Sequence, residues 1–411
     1  VDDKTIAGAQ REGKLLNGFT AQYIQAFQED CQTLNILPPT VQPRATEKIQ
    51  LMLDLIAKLI EKEMAYVNDG SVYYRVGNFK DYGKLSKKNL EKNIAGASER
   101  VDQDEYESKE QVSDFVLWKG AKEGEAALGA AWDSPWGKGR PGWHIECSAM
   151  SMNELGEQFD IHAGGEDLVF PHHENEIAQS EGATGKVFVN YWLHAKHLLV
   201  NGEKMSKSKG NFFTLRDLLE KDYDPMAIRY ALLSVHYRHS LNFTFEGLKE
   251  AREVIEKLDN CYFQCLSRLR LPGEKTESSF NPGILDAGLA KMEKFLGEDL
   301  NVAGALASLQ EVVTAINTHL SQLSPKGLET CLDFFSRVDG LLGLDISSAN
   351  TLPENVKTAL EQYSEARKAR DFAKSDLMRK KIVELGWLVK DGRPGDPSTV
   401  KKIRRAWDIK K

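Results

Sequence analysis

Within Pro171–Ala178, His172 and Glu176 stand four residues apart, which on a helix places an imidazole and a carboxylate on one face. Cys147, upstream, adds a thiol, and the three together form a soft-to-borderline donor set of the kind that holds zinc at tetrahedral angles. Spacing alone leaves alternatives open. Cys147 is remote, His173 or Glu174 serves as well as the chosen pair, and the same residues read equally well as a polar helix start beside a buried thiol. A metalloprotease is excluded, because Ile177 stands where the second histidine after His173-Glu174 should be. A metal that receives a substrate thiol deprotonates it, and this separates a thiol from a hydroxyl with no editing domain.

A second constellation is Lys204-Met205-Ser206-Lys207-Ser208, two lysines three apart on a loop before Gly210. Such a loop can close on a polyphosphate, each ammonium serving as a point charge when pyrophosphate leaves. Without context it reads as a solvated lysine loop, but its setting is specific. Asn201-Gly202 predicts a type I′ hairpin that aims it, and Thr214 with Asp217 predicts a capping box that anchors its far end.

These residues need a frame. The spacing of Tyr23, Ile24, Phe27 and Cys31 predicts a helix over Thr20–Cys31, and Thr46 is expected to cap a second one with the stripe Ile49, Leu53, Ile56 and Ile60. Asn68-Asp69-Gly70-Ser71 predicts a β-hairpin, and Lys80–Gly129, charged and broken by glycine, reads as an insertion whose firm apolar run is Phe115–Trp118. From Ser134, glycine, proline, tryptophan and histidine crowd together as they do around sites. A helix is expected over Ser148–Leu155, a strand over Phe159–His162, a glycine turn over Ala163–Asp167 and a helix over Pro171–Ala178, the alternation of a parallel α/β sheet with ligands at its carboxyl edge. Asp224-Pro225 opens a helix bundle, with Ala251, Ile255, Leu258, Tyr262 and Cys265 as one stripe.

The chain has 411 residues, 41% hydrophobic and 28% charged, which suits two to four globular domains and excludes disordered and collagen-like classes. No run approaches the roughly 18 apolar residues of a membrane span, and Val1–Lys4 is polar, so a cytoplasmic protein with no membrane partner is expected. Five irregularly spaced cysteines argue for reduced thiols. Cys261 and Cys265 are expected in the core rather than at a second metal, with Cys31 and Cys331 likewise small core residues. Net charge is -7 but uneven: residues 363–411 hold 15 Lys and Arg against 7 Asp and Glu, a net +8, which leaves -15 on the first 362. A basic terminal module of this kind is suited to phosphate.

The blocks Pro43-Arg44-Ala45-Thr46, Asp114–Lys119, Gly142-Trp143-His144-Ile145-Glu146-Cys147-Ser148-Ala149-Met150, Phe170–Ser180 and Lys204–Ser208 are specific, and together with Val1–Lys4 they span the chain. On them the sequence resembles the cysteinyl-tRNA synthetases, class I aminoacyl-tRNA synthetases. The resemblance implies an α/β Rossmann-type catalytic domain, with 1–40 as the remainder of its first half, 41–133 as a connective insertion and 134–223 as a second half carrying zinc site and lysine loop. A helical anticodon-binding bundle over 224–347 and a C-terminal anticodon-recognition module over 348–411 would follow. It implies Cys147, His172 and Glu176 as three of four zinc ligands, Trp143, His162 and Asp167 as amino-acid pocket residues, Lys204 and Lys207 as catalytic lysines and Lys207 as an ATP contact. In the last module, Arg367 suits phosphate or base edges, Phe372 suits stacking, and Asp376 and Asp391 suit base amino groups.

The implied reaction is ATP-dependent ligation of L-cysteine to its tRNA through cysteinyl adenylate, with Zn2+ as cofactor, Mg2+ accompanying ATP, and a monomer expected. Three departures stand out: no histidine-isoleucine-glycine-histidine signature, no fourth ligand cysteine near it, and Ala163 where the family commonly has glycine. The first two lead to the expectation of an N-terminal stretch beyond this sequence. Two rival readings are the cysteine:amino-sugar ligase of mycothiol synthesis, which lacks the C-terminal module, and a non-catalytic tRNA- or zinc-binding remnant.

Overall fold

The computed structural model describes residues 2–88, 109–269, 281–347, 353–391 and 399–402, and the chain divides into two compact units, Val1–Glu29 with Pro38–Lys196 and Asp30–Leu37 with His197–Lys411. The first unit opens with α1 (Asp3–Arg11) and α2 (Leu16–Thr33), the latter extending the expected helix at both ends and passing into the second unit. Helix α3 (Ile49–Glu61) buries Met52, Leu53, Leu55, Ile56 and Leu59. Thr46 does not cap it: Ala45–Glu47 forms a 3-10 turn, and the cap position falls to Lys48, which makes no side-chain bond there.

Four antiparallel strands follow in spatial order, β1 (Ala65–Asn68), β2 (Ser71–Tyr74), β3 (Phe115–Gly120) and β4 (Gly139–Pro141). The predicted hairpin between β1 and β2 turns on Asp69 and Gly70, both at positive φ (46° and 74°), as its turn type requires. Leu117 and Trp118 of β3 are both fully buried, so the apolar run of the expected insertion is a sheet strand; residues 89–108 of that insertion lie outside the described residues.

Helix α4 (Trp143–Leu155) starts at Trp143 behind the N-cap Gly142, five residues before the expected Ser148, so Trp143, His144 and Cys147 ride on its first turns rather than on a loop. A Cβ at Gly142 would meet the Val116 carbonyl at 2.3 Å, so β3 demands glycine where the helix is launched. Strand β5 (Phe159–Gly165) pairs in parallel with β6 (Val189–Ala195), and the ladder continues to Gly165↔Ala195; Ala163–Gly165 is therefore strand, not turn. Among the described residues of this unit, β5–β6 is the parallel part of the expected sheet. A π-turn at Val169–His173, bent at Phe170, leads into α5 (Glu174–Thr184).

In the second unit, β7 (Leu199–Val200) and β8 (Glu203–Lys204) form the hairpin on Asn201 and Gly202, at φ 52° and 78°, and β9 (Asn242–Phe243) joins β7 in parallel. Thr214 and Asp217 make the expected capping box on α6 (Leu215–Glu220), and Asp224 caps α7 (Pro225–Leu233) by accepting from Met226 N at 2.7 Å. Helices α8 (Phe245–Leu269), α9 (Gly283–Gly297), α10 (Val302–His319) and α11 (Pro325–Leu342) complete the bundle, whose core holds the whole expected stripe and Cys261, Cys265 and Cys331 at 0% exposure. Arg229 of α7 donates to Leu342 O and Leu34 O, 2.8 Å each, tying the short segment 30–37 to the bundle. The module at the end is α12 (Glu354–Lys368), α13 (Phe372–Glu384) and the antiparallel pair β10 (Trp387–Lys390) and β11 (Thr399–Lys402). Arg404, Arg405, Lys410 and Lys411 of the basic tail lie outside the described residues. Among the described residues no helix is long and apolar enough to cross a membrane.

Candidate functional site

Three features of the first unit meet at one carboxylate. Helix α4 supplies Cys147, the π-turn supplies His172, and α5 supplies Glu176; the ligand atoms of these three lie within 4.8 Å of one another. His172 Nε2 is 3.0 Å from Glu176 Oε1, the i,i+4 relation expected from the spacing. Glu176 is 0% exposed, and neither of its oxygens takes a hydrogen bond. A buried carboxylate left so is costly by several kcal/mol unless a cation compensates it. Thiol, imidazole and carboxylate are zinc's own donor types, so the residues fit that ion.

The surrounding residues fix these ligands. His144 Nδ1 meets His172 Nδ1 at 2.8 Å, which leaves Nε2 of His172 for an ion, and the Trp143 ring stacks on His172 with centroids 4.2 Å apart. Gln179 reaches back from α5 to Ser148 Oγ (2.9 Å) and His144 O (3.1 Å), locking α5 to α4. Glu174, fully buried, accepts from Gly83 N and Ser86 N, both at 2.8 Å, and Tyr82 donates to Asn175, so the turn at 82–86 is bolted to the other face of α5. Burial pushes His144 down to about 3, as it does His173 with help from His162, His194 and His172; both are neutral at pH 7. Burial, reinforced by the carboxylates of Glu176 and Glu146, pushes the Cys147 thiol up to about 12; a bound cation would reverse that balance.

His162, from β5, stands beside this group with Nε2 3.5 Å from Glu176 Oε1, whereas Asp167 is exposed on the turn after β5. His144 and His194 stand beside the ligands as partners of His172 and His173, although spacing in the sequence singles out neither of them. The signal was present in α5 itself, where Glu174–Ser180 is buried without interruption although four of its seven residues are Glu, Asn or Gln. A polar run that must be buried has to be satisfied by other polar groups.

In the second unit Lys204 and Lys207 are both exposed. Asn211 stitches the loop, accepting from Ser206 N at 2.8 Å and donating to Lys204 O at 3.3 Å, while Lys207 Nζ lies 5.2 Å from the Phe212 ring centroid. In the C-terminal module Arg367, Phe372 and Asp376 are exposed, the last two one turn apart on α13, with Phe372 at 60%. Asp391 is already engaged: Tyr363 donates to its Oδ1 and Arg379 to its Oδ2, each at 2.6 Å, and these partners together hold it below the usual carboxylate range against the opposing effect of burial.

Residues 1–253 match the family model of the class I tRNA synthetase (C) catalytic domain, which defines the class. The cysteine–tRNA ligase of Brachyspira hyodysenteriae is 43% identical over 404 residues, 96% of this chain and 84% of that protein, and that of Chlamydia pneumoniae is 45% identical over 402 residues, 96% and 83%. The methionyl-tRNA synthetase of Mycobacterium tuberculosis bound by methionyl-adenylate shares the fold, at a TM-score of 0.54 and 15% identity over 91% of this chain and 86% of that one. The chain belongs to the cysteine–tRNA ligase family, and the expected fold class, a class I catalytic domain followed by a helical region, holds.

Proposed function

We propose that this ligase activates L-cysteine with ATP as cysteinyl adenylate and passes it to its tRNA, with Cys147, His172 and Glu176 as the zinc ligands that select the amino acid. The buried, hydrogen-bond-free carboxylate of Glu176 beside an imidazole and a thiol carries this reading. When bound there, zinc supplies a coordination position that takes a thiolate and discriminates against a hydroxyl. His144 orients His172 through the 2.8 Å contact, and Trp143 covers that ring, with His162 and Asp167 as further walls of the amino-acid pocket.

Lys204 and Lys207 are the cations that meet the triphosphate and stabilise departing pyrophosphate, with Mg2+ accompanying ATP. Their exposure on a stitched loop suits a group that must close on its substrate. Arg367, Phe372 and Asp376 are the exposed tRNA-reading residues, supported by their place in the module with the +8 excess, and Asp391 joins them through the lone pairs that Tyr363 and Arg379 leave on its carboxylate. The domain division given by the resemblance goes with this reading, and the ligase acts as a monomer in the cytoplasm. Cysteine-dependent ATP–pyrophosphate exchange tests it. Exchange that falls at least about a hundredfold with Lys207→Ala is expected; exchange indifferent to cysteine, or unchanged by that substitution, contradicts it.

A further inference from the structure

Glu176 Oε1 is faced by more imidazole than one tetrahedral set needs. Besides His172, the Nε2 atoms of His162 and His173 lie 3.5 Å and 4.0 Å from it, and His162, His173 and Glu176 form a second group of ligand atoms within 4.8 Å of one another. We propose that His162, His173 and Glu176 form a second, thiolate-free seat for a divalent transition-metal ion, which occupies either this seat or the one with Cys147 and His172, with Glu176 common to both. The inference rests on the reading of Glu176 as a metal ligand.

Four observations carry it. Two donors each about 2.05 Å from a tetrahedral ion stand about 3.4 Å apart, close to the 3.5 Å between His162 Nε2 and Glu176 Oε1. Neither contact is a hydrogen bond, because both oxygens of this fully buried carboxylate lack one. His173 Nδ1 is taken by His194 Nε2 at 2.8 Å, so Nε2 is the nitrogen left for an ion, and a partner imidazole of this kind is what orients a ligating histidine. The backbone makes room for that ring: a Cβ on Gly164 of β5 would lie 3.0 Å from His173 Nε2 and 2.8 Å from its Cε1.

Two imidazoles and a carboxylate suit zinc, cobalt or nickel rather than magnesium or calcium. Two dications sharing one carboxylate oxygen repel strongly, so one ion at a time is expected. The second seat would keep the ion on the protein whenever the Cys147 thiol is protonated or blocked.

Cobalt(II) titration of the metal-free protein, followed by visible absorption, separates the seats, since only the first gives a thiolate charge-transfer band. In Cys147→Ser/His172→Ala, one saturable cobalt per chain without that band is expected, and adding His162→Gln or His173→Gln should weaken it at least tenfold. Equal affinity with and without His162→Gln overturns the second seat, and a wild-type protein that still shows the thiolate band leaves the Cys147 seat standing. A wild-type protein that binds cobalt without the band, and loses it on His162→Gln, supports the second seat and removes Cys147 from the first. No cobalt binding in the wild type overturns both. If the double variant does not fold, Cys147→Ser alone, with and without His162→Gln, carries the same comparison.

Discussion

Replacing Glu176 by glutamine keeps its volume and removes the charge that three imidazoles surround, so metal affinity should fall by at least about tenfold, read by equilibrium dialysis against zinc. A second residue-scale consequence concerns acid. His144 and His173 titrate near 3 in the folded chain and near 6.5 when unfolded, so between those values the unfolded state holds protons that the native state does not. Stability of the metal-free protein is therefore unaffected by them above pH 6.5 and lost as pH falls below it. Thermal melts from pH 7 to 4.5 should show this slope, and His144→Gln should make it shallower. At this scale Cys147, His172 and Glu176 were legible, because their types and one i,i+4 step announce them. His194 was not: it comes 21 residues after His173, and only the parallel pairing of β5 with β6 brings it there.

Helix α5 is held by contacts on two sides, and its neighbours set the geometry of the site. Gly164→Ala should push the His173 ring, since the new methyl would lie 2.8 Å from Cε1, and should weaken metal binding, read by equilibrium dialysis against zinc. Glu174→Ala removes the acceptor from Gly83 N and Ser86 N and should cost about 1–3 kcal/mol, measured by urea unfolding. Most elements specified locally were read from sequence, the cap expected at Thr46 being the exception. The turns at Asp69-Gly70 and Asn201-Gly202 and the caps at Thr214 and Asp224 each depend on four or fewer adjacent residues. The start of α4 was missed for the opposite reason. Its Gly142 and Trp143 look like loop residues until the Val116 carbonyl, 26 positions earlier, is seen to require the glycine.

At the scale of the whole molecule, the family is shown by sequence identity sustained over 96% of the chain, and the strongly helical second unit agrees with the periodicity read from Asp224 onward. Of the parallel pair, β5 was read over Phe159–His162 but β6 was not, since neither strand is a buried apolar run: Ile161 and Tyr191 are 58% and 68% exposed. Phe372, 60% exposed in the C-terminal module, should stack on a base; Phe372→Ala is expected to raise the KM for tRNA by about tenfold or more and leave pyrophosphate exchange unchanged. The most direct test of the account is the ratio of kcat/KM for cysteine over serine in ATP–pyrophosphate exchange, measured on the zinc-loaded protein. A ratio of about 10^4 or more is predicted, because the two amino acids differ only in the atom the metal centre would receive. A ratio near that of a simple shape-fitting pocket, about a hundredfold or below, would contradict it.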